Sequence, residues 1–229
     1  MQNTEFTVGQ IHAIDCVKEG WSVIKADYWL LFAISVVGAV IGGLSMYVLI
    51  GAMVCGIFKA YIKVIDGGRA NIDDLWEGFK FFWPSLGVTV VIVVPIFIWM
   101  IIMFITIYLP IITAAMMGNK ADESMLLGTF AVGFVIDIIV AFLMVCVHSL
   151  LIFAFPLIVD RGLSSWEAMK LSARAVLKNL GGIGSLVAVN FVLALAGEMA
   201  LCVGIYLVIP IITAANIVAY RKVFPRITI

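Results

Sequence analysis

Four long blocks of apolar residues alternate with short polar stretches along the chain. The apolar blocks cover residues 28–58, 86–117, 124–159 and 182–220. Apolar runs of 18 or more residues are typical of helices that cross a membrane. The pattern therefore predicts an all-α, polytopic helical membrane protein whose polar stretches lie outside the hydrocarbon.

Two of the blocks are long enough to hold a pair of short crossings each. Block 28–58 is expected to turn near Gly42-Gly43, and block 182–220 is expected to turn near Gly204. The two middle blocks are expected to cross out and back around a short polar loop, GNKADES. Together these expectations give about six transmembrane helices.

An alternative count of eight crossings follows from the length of one block. Residues 86–117 form a 32-residue apolar run, which as a helix would measure about 48 Å against a hydrocarbon core of about 30 Å. A break or kink at Pro95 or Pro110 would shorten its segments. In the eight-crossing version the loop GNKADES lies on the cytoplasmic side.

Composition agrees with a membrane protein, and the placement of charge orients it. The chain of 229 residues is 64% hydrophobic and 12% charged, whereas soluble domains are about 25% charged. Its formal net charge is zero, so nothing indicates nucleic acid as a partner. Thirteen of the 14 Lys and Arg residues form four groups, and Lys120 alone lies in GNKADES. The positive-inside rule puts the four groups, and both termini, on the cytoplasmic side of a bacterial inner membrane.

Two polar stretches of the sequence match each other at an offset of 94 residues. We call them the first elbow (residues 66–87) and the second elbow (residues 160–181). Asp66 aligns with Asp160, and the apolar positions in both are spaced 3, 4, 3, 4, as on one face of a helix. The aligned apolar residues are Ile72, Leu75, Phe79, Phe82 and Leu86 in the first elbow, and Trp166, Met169, Ala173, Val176 and Leu180 in the second.

A second match supports a tandem direct repeat. The hexapeptide PIITAA occurs at 110–115 and again at 210–215. The predicted organisation is a single membrane domain over 1–229, with an N-terminal amphipathic segment over 1–27. Repeat 1 then covers 28–117 and repeat 2 covers 124–222.

Each elbow is predicted to join two transmembrane hairpins by a helix that lies along the membrane surface. Glycine closes the preceding helix, within Gly67-Gly68 in the first elbow and at Gly162 in the second. Asn71 is expected to cap the first surface helix, and Ser164 with Glu167 forms a capping box in the second. The apolar stripe is expected to face the membrane, with Asp74, Glu77 and Lys80 on the wet side of the first elbow and Glu167, Lys170 and Arg174 on that of the second.

Aromatic residues support this interfacial position. Trp76 and Phe79 in the first elbow, and Trp166 in the second, suit the level of the lipid headgroups. Residues 7–25 resemble a third surface helix, with Thr7 and Gln10 as its cap and Ile11, Ile14, Trp21 and Ile24 on its apolar face.

Four polar residues within the apolar blocks are candidates for an intramembrane polar site. Asp137 stands out, because a carboxylate at the centre of a transmembrane helix costs about 2.5–3.5 kcal/mol on insertion scales. His148 lies eleven residues on, close to the same helix face. Asn190 is mid-span, where a hydrogen bond between helices is expected, and Glu198 lies near the outer end of its helix.

No motif of a known active site occurs in the sequence. It has no nucleophile elbow, no Walker loop, no HExxH and no CxxC pair. The four cysteines are scattered, which argues against a disulfide framework or a zinc site. No cofactor is therefore expected. The expected partners are membrane lipids, together with other membrane proteins or a second copy of the chain.

A resemblance adds to these patterns. The segments GWSVIKADYWLL, LWEGF, FPLIVDRGLSSWEAMKLSARAVLKN and VGIYLVIPIITAANIVAYR are similar to a broad family of uncharacterised bacterial multi-pass membrane proteins. The shared pattern is D-x-G-L-x-x-W-E-A-x-K-x-S, followed by a closing hairpin that ends in Tyr-Arg. The resemblance implies an inner-membrane helical bundle and no particular activity.

The favoured functional interpretation is a non-enzymatic integral membrane protein that serves as a structural, assembly, partner-binding or lipid-binding component. A second interpretation is a small transporter or channel that uses Asp137 as a proton or cation site. Its support is the repeat, which is common in transporters, and a carboxylate at membrane depth. An intramembrane enzyme acting on lipid is the weakest interpretation, because only isolated polar residues support it.

Overall fold

The structure, a computed structural model, describes residues 6–9, 11–117, 123–199 and 204–226. All regular structure within these ranges is helical, and no strand occurs in them. The prediction of an all-α, polytopic membrane protein is confirmed. The helices are α1 Ala13–Ile24, α2 Tyr28–Leu44, α3 Ile50–Ile65, α4 Asp73–Trp76, α5 Phe82–Met103, α6 Leu109–Met117, α7 Glu123–Leu150, α8 Ala154–Arg161, α9 Ser165–Lys178, α10 Leu180–Met199 and α11 Gly204–Val223.

Four helical spans among the described residues are long and apolar enough to cross a membrane. They are Asp73–Met116, Leu126–Arg161, Leu180–Met199 and Gly204–Val223. A fifth is counted if α1 and α2, which meet at a bend of 103°, form one span. Since α2 and α3 have only 17 and 16 residues, the count of six crossings stays a prediction.

The chain divides into two compact units. Unit 1 contains the residues up to Thr89 and those from Ser149 onward, and unit 2 contains Val90–His148. In unit 1, helix α11 packs against α1, α10, α2 and α3. The buried core of this unit includes Ile24, Leu31, Ile34, Met53, Tyr61, Leu75 and Ile217.

Helices α2 and α3 of unit 1 form the short hairpin that the first apolar block predicts. The turn lies a few residues later than expected, where Met46 and Tyr47 have φ of 51° and 66°. Gly42 is still helical, and its Cα faces the start of α3 so closely that a Cβ would lie 3.0 Å from a side-chain carbon of Ile50. The glycine therefore permits close helix packing and does not form the turn.

The two elbows begin alike and then differ. The preceding helix is closed by a left-handed glycine in both, as predicted. It is Gly162 in the second elbow, with φ of 63°, and Gly67 of the pair Gly67-Gly68 in the first, with φ of 86°. The second elbow continues as the regular 14-residue helix α9. The first is shorter than predicted, because the four residues of α4 lead into a 3₁₀ turn over Glu77–Phe81 and then directly into α5.

Backbone contact with α3 explains the irregular first elbow. A Cβ on Gly56 would lie 2.1 Å from the carbonyl oxygen of Leu75, and a Cβ on Gly78 would lie 2.1 Å from that of Ala52. The elbow therefore rests on α3 with almost no side chain between the two backbones. A regular helix with side chains on this face would not fit there.

The N-terminal segment is tied to the rest of unit 1 and does not form the cap that was predicted. The backbone N–H of Thr7 donates to the carbonyl of Val223 at 2.8 Å, and its hydroxyl donates to the carbonyl of Lys222. Helix α1 begins only at Ala13, and Gln10 lies outside the described residues. Ile14 and Trp21, predicted on the apolar face, are exposed, whereas Ile11 and Ile24 are buried.

Unit 2 consists of long apolar helical segments. Helix continues through Pro95 and Pro110, so neither proline provides the break on which the eight-crossing alternative depends. A π-helical segment over Phe104–Tyr108 separates α5 from α6. The 28 residues of α7 would span about 42 Å at 1.5 Å per residue, more than a hydrocarbon core of about 30 Å.

Candidate functional site

Arg221, in the last turn of α11, binds two aspartates at the ends of two other helices. Its Nε and Nη2 donate to the carboxylate of Asp66 at 2.9 and 2.7 Å. Its Nη1 and Nη2 donate to the carboxylate of Asp160 at 2.8 and 2.7 Å. One planar guanidinium therefore makes two bidentate pairs, which a lysine could not do. We call Arg221, Asp66 and Asp160 the arginine clamp.

The clamp is mostly shielded from solvent and has two further donors. The side chains of Arg221, Asp66 and Asp160 are 13%, 17% and 19% exposed. The hydroxyl of Tyr220 donates to Asp160 at 2.6 Å, and Nε of Arg226 lies 3.0 Å from Asp66. Two carboxylates thus face two guanidiniums, so the charges are balanced and the ends of α3, α8 and α11 are joined.

The clamp joins the ends of the two helices that precede the elbows. Asp66 and Asp160 are the aligned aspartates of the two elbows, and each occupies the end of the helix that precedes a left-handed glycine. The sequence drew attention to both aspartates and to Tyr220-Arg221, but it did not predict that they meet. The only signal for this contact in the sequence was the presence of Arg221 near the end of the chain and of two aligned acids, Asp66 and Asp160.

The cap of α9 is the predicted one, whereas α4 has Ile72 at its N-cap position, one residue after the predicted cap Asn71. Ser164 and Glu167 make the predicted capping box, and their hydrogen bonds lower the pKa of the Glu167 carboxyl. In the first elbow the Asn71 side chain accepts a hydrogen bond from the N–H of Asp73 at 3.2 Å. Asp74 accepts from the N–H of Asn71 at 2.8 Å, so it mimics the glutamate of a capping box.

Asp74 corrects the prediction of a wet, charged face in the first elbow. Its side chain is buried and lies 3.1 Å from Nζ of Lys63 on α3. Glu77, which was also expected on the wet face, binds both Lys59 and Lys80. The acids of the first elbow are therefore used to hold it against α3.

The face of α9 that is buried within the protein shares only Val176 with the apolar stripe, which was predicted to face the membrane. Trp166, which begins that stripe, is 65% exposed and stacks with Lys170, whose Nζ lies 5.4 Å from the ring centroid. In the first elbow Trp76 and Phe79 are likewise exposed and stack on each other. The residues of α9 buried within the protein are Ala168, Leu171, Ser172, Ala175 and Val176. The aromatic residues of both elbows thus point away from the protein core.

Asp137 is buried in unit 2 and only partly hydrogen-bonded. It is 8% exposed, and Oδ2 accepts a hydrogen bond of 3.0 Å from the hydroxyl of Thr106 in the π-helical segment. Its Oδ1 has no hydrogen-bond partner among the described residues. Close approach is possible here because Gly133 has no side chain, and a Cβ there would lie 2.8 Å from the Thr106 carbonyl. A cavity of about 500 Å³ adjoins Thr106 and Thr129.

The other three candidate polar residues, His148, Asn190 and Glu198, have different surroundings. Nδ1 of His148 lies 2.7 Å from the carbonyl oxygen of Met144 in its own helix. Asn190 donates to the side-chain oxygen of Asn216 at 2.8 Å, which links α10 to α11. Glu198 is exposed next to the end of α10. His148 and Asn190 therefore make separate contacts, and these do not form a shared polar centre.

Two residues with structural roles were missed in the sequence. Asn179, at the end of α9, is buried and binds Gly9 N–H through its Oδ1 at 2.8 Å. Ser172, part of the quoted motif, donates to the Leu150 carbonyl at 2.7 Å and accepts from the N–H of Phe153 at 3.2 Å. Both satisfy backbone groups at helix ends, and a polar residue on a buried helical face was the only signal.

The described residues contain no group of three or more His, Cys, Asp or Glu side chains arranged to hold a metal ion. Cys16 and Cys55 are free and buried, and Cys146 is free and exposed on α7. Cys202 lies outside the described residues.

Comparison with known proteins gives one match. The model of a family described as "Protein of unknown function (DUF975)" matches residues 20–179. The chain belongs to this DUF975 family. The match covers the first elbow and the second elbow up to residue 179, including Asp66 and Asp160. It ends before α10, so Arg221 lies outside it. No curated protein and no solved structure matches the chain.

Proposed function

We propose that this DUF975 protein is a non-enzymatic, multi-pass component of the bacterial inner membrane that acts through contacts with lipids and with other membrane proteins or a second copy of itself. The observation that carries the proposal is the surface of the long helices. The most apolar 18-residue stretch of Asp73–Met116 has a mean hydropathy of 3.0 and no buried residue. Such a surface needs hydrocarbon or another apolar helix against it.

The polar groups of unit 1 support a structural role. The arginine clamp joins three helix ends, Asn190 pairs with Asn216, and the hydroxyl of Ser35 lies 3.1 Å from that of Tyr61. Each of these side chains is engaged in holding helices together. Their use in packing favours a component that keeps a fixed shape over a site that binds and releases a small molecule.

The clamp also supports the proposed orientation. Three of the four basic groups lie at one end of unit 1, because Arg221 binds Asp66 after α3 and Asp160 in α8. Lys222 adds the N-terminal segment to this end, since its Nζ lies 2.9 Å from Glu19. The positive-inside rule assigns that end to the cytoplasm.

Photocrosslinking in living cells tests whether unit 2 contacts other proteins. Phe142 of unit 2 and Phe191 of unit 1 are matched positions, since they are 67% and 62% exposed on apolar helices. Each is replaced in turn by a photoreactive phenylalanine. We expect discrete protein adducts from position 142 and lipid adducts alone from position 191.

Adducts with lipid alone at both positions would contradict association through unit 2. Protein adducts of equal yield at both positions would also contradict it, because they would indicate unselective collision. A single adduct of twice the chain mass would identify the partner as a second copy.

Asp137 favours a second candidate function, movement of protons or cations. Its orphan Oδ1 and its position beside a π-helical segment are features common at functional sites. The test is reconstitution of the purified protein in liposomes with a pH-sensitive dye. Flux that is lost in Asp137→Asn and kept in the control Glu198→Gln would favour transport, whereas absence of flux in the wild type would remove this candidate.

A further inference from the structure

The two elbows use their charges in opposite ways. In the first elbow the acids Asp74 and Glu77 bind lysines of α3, so these charges are paired within the protein. The second elbow has three basic residues and one acid in α9, and Lys170 and Lys178 are exposed on its surface. The two elbows therefore share a spacing of apolar residues but present different charged surfaces.

The basic residues of α9 form one stripe. Lys170, Arg174 and Lys178 are four residues apart, so they follow one another along one side of the helix. All three are exposed. Trp166 lies four residues before Lys170, next to this stripe and near the start of α9.

An apolar strip runs beside the basic one. Trp166 is 65% exposed and Leu177 is 56% exposed. The opposite side of α9 is already packed, since Ala168, Leu171 and Ala175 are buried within unit 1. The helix thus has one face committed to the protein and another that combines an aromatic ring, an aliphatic side chain and three cations.

This combination fits the surface of an anionic membrane. Tryptophan prefers the level of the headgroups, and aliphatic side chains insert just below it. Lysine and arginine side chains bury their carbon stems and extend their charges to the phosphates. A neutral lipid surface would match the apolar strip but would offer no negative charge to the exposed ammonium groups of Lys170 and Lys178.

We propose that the outer face of α9, formed by Trp166, Lys170, Arg174, Leu177 and Lys178, binds the headgroups of anionic phospholipids, while the first elbow is a structural copy that binds α3 instead. This inference rests on the proposed membrane function, because it requires α9 to lie at the membrane surface. It names the lipid class that the second elbow selects.

Fluorescence quenching by brominated lipids tests the proposal with the full chain in nanodiscs. Nanodiscs that are otherwise alike contain either brominated phosphatidylglycerol or brominated phosphatidylcholine. The fluorescence of Trp166 is obtained as the difference between the wild type and Trp166→Phe. We expect the fluorescence of Trp166 to be quenched at least twofold more by the anionic lipid. The excess should disappear in the triple variant Lys170→Gln, Arg174→Gln, Lys178→Gln.

A matched triple variant separates local binding from loss of overall charge. Lys18→Gln, Lys25→Gln and Arg69→Gln also remove three exposed positive charges, but none of them is on α9. The control triple should keep the twofold excess. If the α9 triple does not fold, Lys170→Gln alone, which removes the ammonium stacked on Trp166, should reduce the excess in part.

Equal quenching by the two lipids in the wild type would overturn the proposal. Equal loss of the excess quenching in the two triple variants would also overturn it. So would displacement of phosphatidylglycerol by inorganic phosphate at concentrations that leave phosphatidylcholine in place. If neither lipid quenches Trp166, the outer face of α9 is covered by protein, which also overturns the proposal. Crosslinking from Phe142 is independent of all these outcomes, so failure of the wider functional proposal is seen separately.

Discussion

Asp160 and Arg221 come from different helices and are joined by two hydrogen bonds, of 2.8 and 2.7 Å. The same guanidinium holds Asp66, the residue of the first elbow that aligns with Asp160 in the second. A single arginine thus fixes the relation between the two elbows. Both acids lie at helix ends, where their charges would otherwise face carbonyl groups of like polarity.

Loss of Arg221 is expected to destabilise the protein strongly. Arg221→Gln removes the guanidinium that bridges two mostly buried carboxylates, and removal of one partner from such a site costs about 3 kcal/mol or more. Arg221→Lys should recover only a part, because an ammonium cannot make two bidentate pairs. Reversible unfolding in mixed micelles measures the free energy of unfolding.

Lys80→Gln provides the control for the clamp. Lys80 is exposed and pairs with Glu77 at 3.3 Å, so its loss should cost less than about 1 kcal/mol. Equal effects of Arg221→Gln and Lys80→Gln would show that the clamp contributes no more than a surface ion pair.

The contact between the first elbow and α3 should not tolerate a methyl group. Gly56→Ala places a carbon 2.1 Å from the Leu75 carbonyl, which requires the elbow to move, and overpacking of this kind costs about 1–3 kcal/mol or more. Gly184→Ala is the matched change, because Gly184 in α10 has open space around it. That variant should be neutral or more stable by up to about 1 kcal/mol.

Thermal unfolding of the two glycine variants in the same detergent measures the difference. If Gly56→Ala melts with the wild type, the elbow is not held by backbone contact and the short α4 needs another cause.

Local features of the fold could be predicted from sequence, because their signals lie within a few residues. The glycine closure at Gly162 and the capping box of Ser164 and Glu167 are of this kind. The clamp could not be predicted, because Arg221 lies 155 residues from Asp66. Apolar spacing gives the direction of a helical face but not what covers it, so it indicated that Trp166 faces the membrane but not that Leu171 and Ala175 pack within the protein.

The first elbow shows a second limit of sequence interpretation. Its pattern predicts the same helix as α9, but contact between the backbones at Gly56 and Gly78 overrides helical propensity. Asp74 has the same explanation, since the elbow lies so close to α3 that its carboxylate is buried against Lys63. Both outcomes depend on tertiary contact, which periodicity does not report.

Reporter fusions determine the orientation of the chain. A fusion after Arg226 is expected to report the cytoplasm, because the arginine clamp brings three of the basic groups to that end of unit 1. A fusion within residues 118–123 is expected to report the periplasm. A periplasmic report after Arg226 would refute the orientation, and a cytoplasmic report within 118–123 would favour eight crossings.

Asn190 and Asn216 are expected to stabilise the protein only as a pair. Asn190 donates to Asn216 at 2.8 Å between α10 and α11, and hydrogen bonds between membrane helices contribute about 0.6 kcal/mol on average and up to about 1.7 kcal/mol. Asn190→Leu or Asn216→Leu alone leaves one amide unpaired, whereas the double variant replaces both amides by apolar groups. A double-mutant cycle should therefore give a coupling of about 0.5–1.5 kcal/mol.

The control cycle combines Asn190→Leu with Ser185→Ala, and it should give a coupling near zero. The hydroxyl of Ser185 donates to the carbonyl of Gly182 in its own helix. Equal couplings in the two cycles would mean that the amide pair does not hold α10 to α11.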